Sequence, residues 1–499
     1  GGRVVLDGIA TLKSASYSFE SFGLEHVGQK LLGRGKKIEH HGDPLAEIRR
    51  LYREDKPALA EYNVEDCRLV LDIVSAGDLV GFAIERQALT GLPMDRQGGS
   101  VAAFDNLYLP RLHRRGHVAP DVGDAMDGGR SPGGYVMDSV PGLYENVLVF
   151  DFKSLYPSII RTFKIDPLGL HTPGDDPIPG FEGGTFAREN HILPELIETL
   201  WAARDVAKRE KDAARSRAIK ILMNSFYGVL GSGGCRFFDP RLASSITRRG
   251  HEIMLESRRL IEGLGHRVIY GDTDSLFVSV GPGDEAACDA LGKQLAQVLN
   301  THWSQTLRSQ HDLQSELEAE YETHFLRFLM PTMRGSAKGS KKRYAGSVRN
   351  GDELAIVIKG LEAVRTDWAP LARRFQRELL RRVFVDEPWR AWLIETANAV
   401  RRGEHDEALV FRKRLRRPLD SYVKNVPPHV QAARMLEEEV REVRYVVTTR
   451  GAQPVQKIDA PIDYEHYLAK QLAPAADCVL PLLGTSFAAL AGTQMVLFE

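Results

Sequence analysis

The stretch VIYGDTDSLFV, residues 268 to 278, sets two aspartates, Asp272 and Asp274, one residue apart inside an otherwise apolar, β-branched run. Side chains alternate between faces along a strand, so a strand running straight through would aim both carboxylates the same way. Like charges that close repel, and a cation between them relieves the repulsion. The plainer alternative is local. Gly-Asp-Thr-Asp is good turn chemistry, and HRVIY and SLFVSV on either side read as the arms of a β-hairpin. Taken alone, the stretch favours the turn.

A second acid lies upstream. In NVLVFDFKSLYPSII an apolar strand, Val147 to Phe150, ends in Asp151 and turns at Ser154 into a short helix. An aspartate there is commonly a cap or turn residue. It also supplies a third carboxylate able to converge with Asp272 and Asp274 on one sheet edge. Hard oxygen donors of this kind suit Mg²⁺, which takes one or two protein carboxylates and fills its octahedron with water and phosphate oxygens.

SRAIKILMNSFYGVLG reads as a helix from Arg215 to Tyr227, stopped by Gly228 and Gly231. Lys220, Asn224 and Tyr227 share one face at i, i+4 and i+7, and Ile219, Leu222 and Phe226 occupy another. A face bearing a cation and an aromatic suits a nucleotide; an exposed amphipathic face is the alternative for this segment alone. LIETLWAARDVAKREKDAARS reads as a second helix, with Arg204 and Lys208 four apart. A hairpin of the two, joined near Ala213 to Ser216, would turn its polar groups towards the carboxylates and clamp a triphosphate.

At 499 residues the chain is too long for one core, and three or four compact units are expected. Its 43% hydrophobic and 27% charged residues are ordinary for a globular protein. Lys plus Arg total 66 against 67 for Asp plus Glu, so global charge gives no hint of a polyanionic partner. Local charge does, in Arg412, Lys413, Arg414, Arg416 and Arg417 and again in Lys338, Lys341, Lys342 and Arg343. Each run taken singly reads equally well as a solvated basic face. The four cysteines lie far apart without a Cys-x-x-Cys pair, which points to a reducing compartment and no zinc or redox motif. No apolar run approaches the ~18 residues of a membrane span, and no signal peptide opens the chain. The start at Gly-Gly, without methionine, reads as a fragment or a processed chain.

DFKSLYPSII, KILMNSFYG, YGDTDS, GSKKRYAG and KGLEAVRTDW occur in the order of five motifs of the family B DNA polymerases, which this chain resembles. CRFFDPRLASSITRRGH and YETHFLRFLMPT resemble the bacterial repair and translesion members of that family. The resemblance implies an α+β multidomain, right-hand polymerase. Residues 1–90 would be the C-terminal remnant of a 3′–5′ exonuclease domain. Residues 91–197 and 236–344 would form the palm, 198–235 a two-helix fingers insertion, and 345–499 a mainly helical thumb with a C-terminal tail.

Carried over onto these residues, Asp151 and Asp274 would hold two Mg²⁺ ions, for which Mn²⁺ can substitute, with the Phe152 carbonyl on one of them. Asp272 would be a supporting acid. Tyr156 resembles the steric gate against a ribose 2′-hydroxyl. Arg204, Lys208, Lys220 and Asn224 resemble the residues that bind the incoming dNTP, with Tyr227 beside the nascent pair. Lys341, Lys342, Arg343 and Tyr344 resemble the segment that tracks primer-template DNA. The terminal Gln494, Leu497 and Phe498 resemble a sliding-clamp peptide, and the same residues could instead pack as a tail on the thumb. A monomer in the bacterial cytoplasm, associated with the nucleoid and not with membrane, is the implied setting.

The resemblance also has gaps. Of three acidic exonuclease motifs only the last is found, as Tyr62 and Asp66 in EYNVEDC, four apart on a helix. The only Asp-x-Glu, Asp463-Tyr464-Glu465, reads as a helix start, and Met435 to Tyr445 is shorter than the family pattern. Proofreading is therefore expected to be lost. Three other readings remain: a catalytically silent DNA-binding scaffold, which loss of a metal aspartate would support; a nuclease, which would need the missing acids; and, within family B, a replicative or protein-primed polymerase.

Overall fold

The run GLYENVLVFDF forms β1 (Gly142–Phe152), in which Asn146 to Phe150 are all buried. A strand covered on both faces reads as a continuous apolar run, not an alternating one. The computed structural model describes residues 2–36, 44–123, 131–333, 338–424, 426–436 and 440–492. The chain is α+β and divides into two units. One comprises 1–134, 153–252 and 302–318; the other comprises 135–152, 253–301 and 319–499.

The second unit contains β1. Two-residue strands β2 (Ile178–Pro179) and β3 (Thr185–Phe186) pair separately, within the first unit. Then follow β4 (Arg267–Asp272), β5 (Ser275–Ser279), β6 (Ala319–Met330), β7 (Tyr344–Asn350) and β8 (Glu353–Lys359). They form a six-stranded antiparallel sheet in the order β4-β5-β1-β6-β7-β8. Val147, Val149, Tyr270, Phe277, Phe325 and Phe328 make one buried cluster on it. Tyr344 joins that cluster, its ring 5.2 Å from Phe277 and 5.4 Å from Phe328. Tilted and edge-on rings at such spacing favour packing beyond area burial.

After residue 345 the chain carries helices from Pro370–Phe384 to Phe487–Ala491, with strands among them. YAGSVRN and ELAIVIK continue the sheet, because their alternating and β-branched residues fit a pleated surface. Beyond them β9 (Phe411–Arg414), β10 (Glu442–Thr448) and β11 (Gly451–Pro454) form a second, three-stranded sheet. The basic run at Arg412 is thus partly a strand, with Arg412 paired to Glu442 across β9 and β10.

In the first unit α1 (Gly8–Ser14), α2 (Leu24–Leu32), α3 (Pro44–Glu54), α4 (Lys56–Ala76) and α5 (Leu79–Thr90) precede α6 (Ser100–Arg114). They are followed by α7 (Leu155–Thr162), α8 (Pro167–His171), α9 (Leu193–Arg209) and α10 (Ala213–Leu230). The helix expected to stop at Gly228 runs through it and ends at Gly231, since Val229 and Leu230 are buried and hold the last turn in place. The connection between α9 and α10 is Glu210 to Asp212, earlier than Ala213 to Ser216. Asp212 supplies the N-cap, its carboxylate accepting from Arg215 N at 2.9 Å. Residues 197 and 198, the expected palm-to-fingers junction, lie inside α9. All four cysteines are free, and among the described residues no helix is long and apolar enough to cross a membrane.

Within β1, Asn146 adopts φ +47, a left-handed conformation that asparagine tolerates better than most residues. Its amide donates to Gly281 O at 3.0 Å and Gly283 O at 3.3 Å, and its carbonyl oxygen meets His324 Nε2 at 2.9 Å. Asn146→Ala is expected to lower the unfolding free energy by roughly 2–4 kcal/mol, through strain and unpaired groups together. Asn146→Gly, which keeps the φ freely, should cost less. Urea unfolding of both variants checks the order; equal losses would mean that the backbone conformation contributes nothing.

Candidate active site

Asp272 is the last residue of β4 and Ser275 the first of β5, so Thr273 and Asp274 form the tip of a two-residue hairpin. The turn reading of the backbone is the one realised. Thr273 sits at φ +60, a position that β-branched residues rarely adopt. Main-chain bonds hold it there. Thr273 N donates to Tyr135 O at 2.7 Å, Asp274 N to Asp272 O at 2.7 Å, and Phe152 N to Asp274 O at 2.8 Å. Residues 135 to 140 run beside β4, with Met137 N bonded to Gly271 O at 2.9 Å. That approach is close enough for a Cβ on Gly271 to come within 2.8 Å of the Met137 sulfur.

Ser275 stands opposite Asp272 on one side and Asp151 on the other. The two acids are therefore level with each other on the strands flanking β5, with backbones about 10 Å apart at two strand spacings. Asp274 lies at the turn, bonded through its carbonyl to the end of β1. The three carboxylates share one sheet edge but do not converge as a single set. Among the described residues no group of three or more His, Cys, Asp and Glu side chains is placed to hold a metal ion.

Asp272 is held by three neighbours. Tyr270 OH donates to Oδ2 at 3.3 Å, Thr273 Oγ1 donates to Oδ1 at 3.2 Å, and Lys342 Nζ lies 3.5 Å from Oδ1. The positive charge beside Asp272 is thus a lysine of this chain. Asp151 and Asp274 are two hard carboxylates near the main-chain carbonyl of Phe152, whose N–H donates to Asp274 O. That donor set fits Mg²⁺, which draws few ligands from protein and the rest from water and phosphate. Asp151 also lines a cavity of about 610 Å³ together with Ser275, Glu322, Tyr344 and Lys359.

Each cation of the KKRY segment has an acidic neighbour. Lys341 Nζ lies 3.3 Å from Asp138 and Lys342 3.5 Å from Asp272, both lysines at least half exposed. Such surface pairs are weak. Arg343 differs. Its guanidinium pairs with Glu362, which is buried and also accepts from Gln376 Nε2 at 2.8 Å. Arg343 and Tyr344 are both half-buried, Tyr344 against the aromatic cluster. Glu362 was visible in KGLEAVRTDW, but its partner lies 19 residues away.

In the other unit, Lys208, Lys220 and Asn224 are exposed, Arg204 and Tyr227 are half-buried, and Ile219, Leu222 and Phe226 are buried. The helical spacing therefore separates a polar from an apolar face as expected. The Tyr156 ring lies 4.7 Å from that of Tyr227, whose hydroxyl is 3.4 Å from Ser131 Oγ. Tyr62 and Asp66 both lie on α4, and Lys36 Nζ donates to both, at 2.9 Å and 2.7 Å. An ammonium thus sits on the two residues, a partner 26 residues distant from Tyr62 that no local pattern announces. Asp463 caps the short helix Tyr464–Tyr467, an ordinary helix start. Gln494, Leu497 and Phe498 lie outside the described residues.

Tyr270 OH bridges the acid and the basic segment, donating to Asp272 and accepting from Lys342 N at 3.0 Å. Burial, with the Asp272 charge adding to it, pushes this hydroxyl up to about 12. The fold favours its neutral form, so its contribution is complete below the ordinary value near 10 and is lost as pH rises through about 12. Tyr270→Phe is expected to cost about 1–3 kcal/mol by orphaning Lys342 N. It should also remove one tyrosinate step near pH 12 from the native ultraviolet titration; loss of a step near 10 instead would contradict this placement.

The sequence profile of DNA polymerase family B matches residues 97–176 and 184–482. Over its whole length the chain is 53% identical to DNA polymerase II of Escherichia coli strain K12, of which it spans 66%. Over 97% of its length it is 27% identical to a DNA polymerase of Thermococcus sp. strain 9oN-7, spanning 64% of that protein. It is likewise 27% identical to the DNA polymerase alpha catalytic subunit of Drosophila melanogaster, spanning 36%. The chain thus covers less than two-thirds of the length of these relatives. With most of its residues inside the family match, the chain belongs to DNA polymerase family B.

Proposed function

We propose that this chain carries out template-directed DNA synthesis, adding dNMP from a dNTP to a primer 3′-hydroxyl. Family membership supports the reading. The observation that carries it is the bond from Phe152 N to Asp274 O, which fastens the Asp274 turn to the strand end bearing Asp151. Asp151, Asp274 and the Phe152 carbonyl would hold two Mg²⁺ ions. When bound, such ions supply charge neutralisation of the phosphates and stabilise the attacking and leaving oxygens.

The protein's own groups position the reactants. Arg204, Lys208, Lys220 and Asn224 bind the triphosphate as cations and hydrogen-bond donors, and Tyr227 lies beside the nascent pair. Tyr156 closes the space of a ribose 2′-hydroxyl, a role its contact with the Tyr227 ring supports. Asp272, already paired with Lys342, acts as a support to the turn, not a ligand. Lys341 and Lys342 exchange their acids for primer-template phosphates, so binding weakens with salt. In this reading the six-stranded sheet is the palm, α9 and α10 the fingers, and the segment after β8 the thumb. The C-terminal Gln494, Leu497 and Phe498 engage a sliding clamp, the chain works as a monomer, and its task is repair or translesion synthesis.

Extension of a labelled primer with Mg²⁺ and dNTPs tests this directly, beside Asp274→Asn and a lane without nucleotides. Extension that falls roughly a hundredfold or more in the variant, with no shortening in the nucleotide-free lane, is expected. A wild-type chain that binds primer-template yet never extends it would overturn the reading in favour of a silent scaffold.

A further inference from the structure

Asp166 is fully buried, and every bond recorded to its carboxylate comes from a donor. Oδ1 accepts from Tyr108 OH at 3.0 Å and from Leu193 N at 2.7 Å, and Oδ2 accepts from Gly169 N at 2.9 Å. Tyr108 OH in turn accepts from Leu168 N at 3.0 Å. Two helix starts are satisfied by this one side chain. Asp166 is the N-cap of α8, its own short helix. It also reaches the first residue of α9, whose adjoining Ile192 has no side-chain oxygen to offer.

α9 is the helix that carries Arg204 and Lys208. At the helical rise these residues stand roughly 16 and 22 Å from Leu193, so a tilt of a few degrees at the pinned end displaces them by about 1–2 Å. The same node reaches α10. Tyr108 stacks on Phe104 at 5.1 Å, and Phe104 meets Phe226 at 5.6 Å, between Asn224 and Tyr227 in sequence. We propose that Asp166 is a positioning residue for nucleotide binding: it fixes the start of α9 and, through Tyr108 and Phe104, the register of α10 against it. This rests on the triphosphate role given above to Arg204 and Lys208, and extends it to a residue that touches no substrate.

Asp166→Asn is nearly isosteric but turns an amide N–H towards at least one donor, so the node loses a bond and gains a repulsion. Steady-state primer extension should then show KM for dNTP raised by about ten- to a hundredfold, as for reactants misplaced by an ångström. Affinity for primer-template, measured without nucleotide, should stay within about twofold. Tyr108→Phe, which keeps the ring stack and removes one donor, should raise KM severalfold with the same unchanged DNA affinity. It decides the matter if Asp166→Asn fails to fold. If KM is unchanged in the folded variants, or kcat alone falls in proportion to lost folded protein, Asp166 is only structural and the proposal is overturned. A wild-type chain that does not extend the primer would instead sink the polymerase reading itself.

Discussion

The hydrogen bond from Phe152 N to Asp274 O is the contact on which the candidate site depends. It joins the end of the central strand to the tip of the β4–β5 hairpin, two points more than 120 residues apart in sequence. The turn it secures is strained, with a threonine at φ +60. Strain of that kind persists only where surrounding bonds over-determine it, and here Tyr135 O and Asp272 O supply the rest. Ser275, shared as register partner by Asp151 and Asp272, then fixes how far apart the acids stand. A one-residue slip of β5 would send its side chains to the opposite face and dissolve the arrangement.

Around that edge the chain uses buried acids as organisers. Glu362 holds Arg343 and Gln376, and Asp166 holds Tyr108 and the amides of two helices. Each is buried where an unpaired charge would be costly, and each is kept by several bonds at once. The exposed pairs, Lys341 with Asp138 and Lys342 with Asp272, are of the other kind. They are weak, screened by salt and suited to exchange. The KKRY segment thus carries two exposed cations followed by two half-buried residues.

What could be read from the sequence was mostly what depends on neighbours. The hairpin arms around Gly-Asp-Thr-Asp, the strand ending near Asp151, and the division of α10 between Lys220 and Asn224 on one side and Phe226 on the other all follow from local periodicity. The strands from Tyr344 to Lys359 follow the same rule and were hidden only by the expectation of a helical segment there. What was not legible depends on distant partners. Lys342 meets Asp272 across 70 residues and Lys36 meets Asp66 across 30, and no spacing in a single chain announces such pairs. Asp166 belongs with these, since an Asp-Pro at a helix start looks ordinary until the amide of Leu193 arrives.

In the proposed function the strand end at Asp151 and the turn at Asp274 together hold the metal. With Fe²⁺ replacing Mg²⁺ in the presence of primer-template DNA and nucleotide, added hydrogen peroxide is reduced by the bound Fe²⁺ to hydroxyl radicals that cut the chain beside the ion, and ascorbate returns the Fe³⁺ to Fe²⁺. Cleavage is expected both next to Asp151 and next to Asp274, suppressed by excess Mg²⁺. Cleavage at only one of these positions, or at neither while others are cut, would contradict it.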